Sequence, residues 1–247
     1  MLNKVRSTAV FLSIAALVAC GALGNSAFAQ ETDPQALFER MGAEVAALDG
    51  FILSGEAYTD ARLGAGQIIQ NSSEVTMRVR KPDSMHLTKH DTEDNKDLYF
   101  SGGVLSIYTD TLNFYAQTNV PEGLGAAVDF AINELGIDAP LLDFVSSDMA
   151  EAMMEDVDDI RLIGTSLVRG KLYDQIALRT AEVDIQIWIA SEGRPLPGKM
   201  VISSKWEGGS PRFVVFMDWD TSPEFSADTF SFVPPDGATQ IEFVTQP

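Results

Sequence analysis

From Val183 to Asp220 apolar and polar residues alternate with a period of two, and this restricts the fold more than any other feature of the chain. In Val183-Asp184-Ile185-Gln186-Ile187-Trp188-Ile189 the three isoleucines share one face of an extended strand, while Asp184 and Gln186 point the other way. Breakers from Glu192 to Gly198 separate it from a second run, Lys199 to Trp206. Gly208-Gly209-Ser210-Pro211 then precedes a third, Phe213 to Asp220. Three strands joined by short breakers predict an antiparallel meander, and Pro234-Pro235 stops the pattern.

The first 29 residues read as an export signal rather than as part of the fold. Lys4 and Arg6 precede an apolar run from Ala9 to Val18, and Ala27-Phe28-Ala29 supplies small residues for cleavage before Gln30. Leu17-Val18-Ala19-Cys20 also fits the lipobox at which bacterial lipoproteins are cut and acylated, so a membrane tether through lipidated Cys20 stands as the alternative. Cys20 is the only cysteine, which removes disulfides, zinc-cysteine sites and thiol catalysis from the folded part. Beyond the signal no run approaches the roughly 18 to 20 apolar residues of a membrane helix. The expected location is therefore the periplasm, with residues 30–247 forming a single domain.

The chain carries a formal charge of −19, and loss of the first 29 residues removes two cations and no acid, giving −21. A surface this acidic repels phosphate backbones and anionic headgroups, so nucleic-acid binding is not expected.

Asp33-Pro34 marks a helix start, with proline where its missing N–H is not needed. Leu37, Phe38, Met41, Val45 and Leu48 then form one apolar stripe that ends at Asp49-Gly50. Strands are expected near 51–60, 66–80, 84–91, 96–101, 103–109 and 111–118. Between Gly123 and Glu155 the period changes: Leu124, Ala127, Val128, Ala131, Ile132 and Leu135 fall at helical spacing up to a Gly136 cap. Pro140 should open a second short helix with Leu141, Leu142, Phe144 and Val145. Asp148 with Glu151 resembles a capping box for a third, with Met149, Met153 and Met154. Strands near 158–167 and 171–181 lead into the meander, giving about eleven strands.

Chemical signatures are sparse. His86 and His90 sit in a strand pattern, which places them roughly 13 Å apart and unable to share an ion. Asp91 to Asp97 has oxygen ligands at alternate positions but lacks the central glycine and final glutamate of a calcium loop, so a solvated hairpin turn is expected. No Gly-x-Ser-x-Gly, phosphate loop or dinucleotide fingerprint occurs. Thirty-six acidic residues offer so many carboxylate pairs that none stands out. The expectation is a protein with no catalytic residue, no metal site and no cofactor.

Several segments together carry a resemblance: Pro82-Asp83, Tyr99 to Tyr108, Asn113-Phe114-Tyr115-Ala116, Ile185 to Ile189, Pro195 to Ile202, and Phe230-Ser231-Phe232-Val233-Pro234-Pro235-Asp236-Gly237-Ala238. Over nearly the whole mature chain they resemble a bacterial family of predicted periplasmic proteins of unknown function (DUF2092-like). More distantly the chain is similar to the superfamily of LolA, LolB, LppX and RseB. The resemblance implies an α+β, mainly β fold: a LolA-like unclosed antiparallel half-barrel with an N-terminal helix, lidded by the helical insertion around 123–155.

It also implies an apolar cavity for a hydrophobic small molecule, lipid or lipoprotein acyl chain, or, in the RseB manner, a sensor domain that meets an envelope protein. LolA-type carriers hold the lid with an arginine near the start of the sheet, where this chain has Arg62, Arg78 and Arg80 without one being assigned. Periodicity nominates Leu124, Val128, Leu142, Phe144, Met149 and Met153 from the lid. From the sheet it nominates Ile187, Met200, Ile202, Val215 and Met217 as ligand-facing. Ordinary core packing would use the same residues, and methionines would suit either role.

Overall fold

A computed structural model describes residues 32–137, 141–206 and 212–243. The segments nominated as signal and lipobox, Pro140, and the turn at Gly208 to Pro211 lie outside the described residues. Helix α1 (Pro34–Ala46) starts as the sequence predicts. Asp33 caps it by accepting from the Gln35 N–H at 3.0 Å, and Leu37, Phe38, Met41 and Val45 are buried beneath it. At its other end Lys81 donates to the Val45 and Ala46 carbonyls at 3.1 and 3.0 Å, satisfying groups the helix leaves unpaired.

The sheet follows: β1 (Gly50–Arg62), β2 (Ile68–Arg80), β3 (Ser84–His90), β4 (Asn95–Ser101), β5 (Val104–Thr109) and β6 (Phe114–Asn119). After the helical insertion come β7 (Asp159–Val168), β8 (Lys171–Arg179), β9 (Val183–Ala190), β10 (Pro197–Ser204), β11 (Arg212–Asp220) and β12 (Thr239–Ile241). All pair into one sheet in the order β12-β6-β5-β4-β3-β2-β1-β11-β10-β9-β8-β7. Its two ends do not pair with each other, so the half-barrel is unclosed. The antiparallel β1–β11 ladder, from Ile52↔Asp220 to Thr59↔Phe213, joins the two halves of the chain. At Gly55 the ladder tolerates no side chain, because a Cβ there would stand 1.8 Å from the Phe216 carbonyl oxygen.

The sheet has twelve strands rather than eleven. The extra one, β12, pairs in parallel with β6, Thr239↔Phe114 to Ile241↔Ala116, and three residues are too few for alternation to reveal. Strand β6 begins at Phe114 rather than near 111, because Asp110 to Asn113 form a turn with Asn113 at φ 51°. In the insertion α2 (Leu124–Asn133) ends as predicted: Gly136 takes φ 64° and the Ile137 N–H closes on the Ala131 carbonyl at 3.0 Å. The expected second helix is only a 3-10 turn, Leu142–Val145. The capping box of α3 (Met149–Glu155) does not form; the Asp148 carboxylate accepts from the Ser146 hydroxyl instead of from the helix.

One face of the sheet, called inner here, packs against α1, α2, the 3-10 turn and α3 in a single core. Helix α3 comes close to α1 because residue 42 is glycine, where a Cβ would meet that of Ala150 at 2.3 Å. Phe230 and Phe232 do not join this core. The segment from Phe225 to Phe232 runs along the outer face, where Phe230 is buried against Phe225 and Arg80, and Phe232 contacts Tyr99, Tyr108 and Tyr115.

Candidate functional site under the helical lid

Register lines up the inner face in rows that cross the strands. One row runs Trp219, Leu53, Met77, Leu87, Leu98 and Ile107; a second runs Phe51, Val79, Met85, Phe100 and Leu105. A third row crosses the meander through Ile176, Ile187, Met200 and Val215. Directly opposed apolar side chains of this kind are the unit from which a sheet gains stability. The rows exist because each strand alternates, so one face receives the whole apolar set.

The insertion lies over this surface. Leu124, Ala127, Val128 and Ala131 of α2 face Met85, Leu98, Phe100 and Leu105, with Leu142 closing the group. The gaps among these nine side chains are too narrow for a water molecule. The Phe144 ring meets Trp219 edge-on at 5.8 Å. Trp219 is itself held by Phe51 at 5.1 Å and by its indole N–H donating to the Pro197 carbonyl at 2.8 Å.

All eleven residues nominated from periodicity belong to, or pack against, the one apolar core. Leu124, Val128, Leu142, Phe144, Met149, Ile187, Met200, Val215 and Met217 are buried, while Met153 and Ile202 are half-buried against the same core. The structure brings α2 nearest to β3, β4 and β5, whose Met85, Leu98, Phe100 and Leu105 were not nominated. Their alternation between residues 85 and 105 was visible; which half of the sheet α2 would cover was not. Of the arginines considered for holding the lid, Arg78 and Arg80 alternate with Met77 and Val79 and so face outward, away from the lid.

Burial in the core holds most of the described lid residues. The Leu124 N–H donates to the Pro82 carbonyl at 3.0 Å, and the Asp158 N–H donates to the Arg179 carbonyl at 2.7 Å. Between those two anchors, Asp143 aside, the hydrogen bonds of the described residues run within the insertion itself. The nine residues around the gaps beneath α2 are all apolar, and among the described residues no cluster of histidine, cysteine or acidic side chains could hold a metal ion.

An open, mainly antiparallel sheet with a helical layer sealing one apolar face defines a lidded half-barrel. The chain belongs to the family of predicted periplasmic proteins DUF2092, whose model matches residues 34–244. Curated protein sequences give no match. Among solved structures it is similar to the lipoprotein LppX of Mycobacterium tuberculosis at 13% identity and a TM-score of 0.46, covering 78% of this chain and 99% of that one. MucB of Pseudomonas aeruginosa, solved in complex with MucA, is similar at 15% identity and TM-score 0.44, over 82% of this chain and 62% of that one. A LolA superfamily protein of Nitrosomonas europaea is similar at 10% identity and TM-score 0.40, over 81% and 98%. No helix among the described residues is long and apolar enough to cross a membrane.

Proposed function

We propose that the chain is a non-enzymatic periplasmic binding protein that takes a hydrophobic ligand, a lipid or lipoprotein acyl chain, between the lid and the inner sheet face. The observation that carries this reading is the way the lid is held. Among the described residues, Asp143 aside, the hydrogen bonds between its two anchors run within the insertion, so lifting it exposes apolar surface and breaks few of them. Burial of Leu124, Val128, Leu142, Phe144, Val145 and Met149 contributes, at about 1.5–3 kcal/mol per side chain, an upper bound of roughly 9–18 kcal/mol. An acyl chain of a dozen methylenes supplies roughly 10 kcal/mol at about 0.8 kcal/mol each. The two are of one size, so a ligand that replaces the lid's contacts offsets most of the cost of opening. A polar ligand offsets none of it.

The interaction-domain alternative is favoured by a different feature. Strand β7 ends the sheet, and Ile163 and Leu167 on it, with Leu172 beside it on β8, are exposed. A partner strand could dock there. The distinction is whether ligand occupies the interior or a protein covers the edge.

Mass spectrometry of an organic extract of purified protein should find a lipid, and a fluorescent fatty acid should bind at micromolar concentration. Met153→Gln, on the half-buried side of α3, should weaken that binding more than it lowers stability. A fall in stability of about 1–3 kcal/mol with unchanged binding is the outcome of a purely structural methionine. A wild-type protein that carries no lipid and binds no hydrophobic dye would transfer the proposal to the exposed edge. Export with cleavage before Gln30 belongs to the same proposal; N-terminal sequencing checks it, and a blocked, acylated Cys20 would replace it with a tethered form.

A further inference from the structure

The outer face of β2, β3 and β4 carries a groove of about 550 Å³, within the usual size of small-molecule sites. Register builds its floor. Arg78 opposes His86, which opposes Tyr99; Thr76 opposes Thr88, which opposes Asp97; Glu74 opposes His90. Ser226, Asp228 and Thr229 of the C-terminal segment form its wall. That wall is fixed at both ends, since Phe225 before it meets Phe230 after it edge-on, Phe230 is buried against Arg80, and Phe232 sits among three tyrosines.

Most polar groups in the groove already have partners. His86 Nε2 lies 2.9 Å from Asp97 Oδ1, and its ring stacks on Tyr99 with centroids 3.9 Å apart and planes at 13°. Thr88 donates to the Thr76 carbonyl at 3.3 Å, and the Ser226 and Thr229 hydroxyls bond each other at 2.9 Å. The Asp228 carboxyl is held below its ordinary range by a hydrogen bond from Ser226.

Arg78 is the exception. Among the described residues its Nη1 is the single buried side-chain nitrogen or oxygen without a hydrogen-bond partner, and it makes no ion pair although Glu74, Asp97 and Asp228 line the same groove. A buried charged donor left unpaired is costly, and a planar guanidinium is suited to accept a carboxylate in a fork. The acids make the groove negative beyond Arg78, so a simple anion is attracted at one point and repelled by the rest. Glu74 lies four residues from Arg78 on the same strand, roughly 13 Å between Cα atoms.

We propose that this groove binds a small zwitterion, its carboxylate on Arg78 beside His86 and its ammonium toward Glu74, with the two charges separated by about a four-carbon chain. The site is independent of the apolar interior, because it lies on the opposite face of the sheet.

The imidazole NMR signals of the full chain report on it, with His90→Gln used to assign His86. Titration with 5-aminopentanoate should shift the His86 signal saturably at millimolar concentration. Acetate alone or methylamine alone should require at least tenfold more. Arg78→Gln should weaken 5-aminopentanoate binding at least tenfold. Glu74→Gln should weaken 5-aminopentanoate but leave acetate unchanged, and this variant also guards against misfolding at position 78. No saturable shift with 5-aminopentanoate would overturn the site, and acetate binding as tightly as 5-aminopentanoate would overturn the zwitterion.

Discussion

Along β2, Val75, Met77 and Val79 lie sealed under the helical layer, while Thr76 and Arg78 between them face an open polar groove on the other side of the same sheet. The two surfaces are made by one alternation and differ in what a visitor must do. On the inner face any ligand has to displace packed side chains, so binding there is gated by lid opening and its on-rate should be low. The outer groove is already formed and walled, so its binding should approach a docking-limited rate. Stability follows the same division: the inner face gains it from apolar area, the outer face from hydrogen bonds and charge.

The first way to break this division is to ask whether all of the helical layer is lid. Helix α1 is tied to the sheet by Lys81 at its C-terminal carbonyls and carries the fully buried Phe38, so it belongs to the permanent core. Phe38→Ala should cost about 3–5 kcal/mol, measured by urea unfolding, without making uptake of a fluorescent fatty acid faster. Faster uptake would mean that α1 moves with the lid.

The contact between α1 and α3 offers a smaller and more pointed change. Gly42→Val places atoms where Ala150 already sits, a Cβ at 2.3 Å, and should push α3 outward. The expected cost is about 1–3 kcal/mol, together with faster fatty-acid uptake in stopped-flow fluorescence. Loss of stability with unchanged uptake would place α3 in the fixed core and leave α2 alone as the moving part.

How far the sequence reaches is clear from particular residues. Alternation located eleven strands within a few positions, because each has one apolar and one polar face. It missed β12, whose three residues pair only through backbone. Apolar periodicity chose lid and sheet residues that join one core, since a buried helix stripe and a buried sheet face have nowhere else to go. It missed the Met85, Leu98, Phe100 and Leu105 surface under α2 because sheet order depends on which strands neighbour across the β1–β11 ladder. That ladder joins residues more than 150 positions apart. The outer groove was still less legible. His86 was weighed only as half of a metal pair, whereas its partners Asp97 and Tyr99 come from register, and Ser226 and Asp228 come from a segment with no periodic signal.

The weakest expected effect tests the outer side of the comparison. In the β3–β4 turn the Asp91 carboxylate accepts from the Glu93 and Asp94 N–H groups, both at 2.8 Å, and from Lys89 at 3.1 Å. Those bonds, the backbone N–H of Asp94 first, lower its pKa from 3.8 to about 2. A carboxylate whose folded pKa is depressed contributes its stability in full above the unfolded value. That contribution is lost as pH falls through the folded one. Asp91→Asn, neutral at every pH, should therefore lower the stability measured by urea unfolding at pH 7 by less than about 1 kcal/mol, the scale of an exposed charged interaction. Between pH 5 and pH 2.5 the gap to the unmodified protein should narrow. The cost of Phe38→Ala, which involves no titrating group, should stay constant over the same range. A gap for Asp91→Asn that does not change with pH would show that the turn is held by shape rather than by charge.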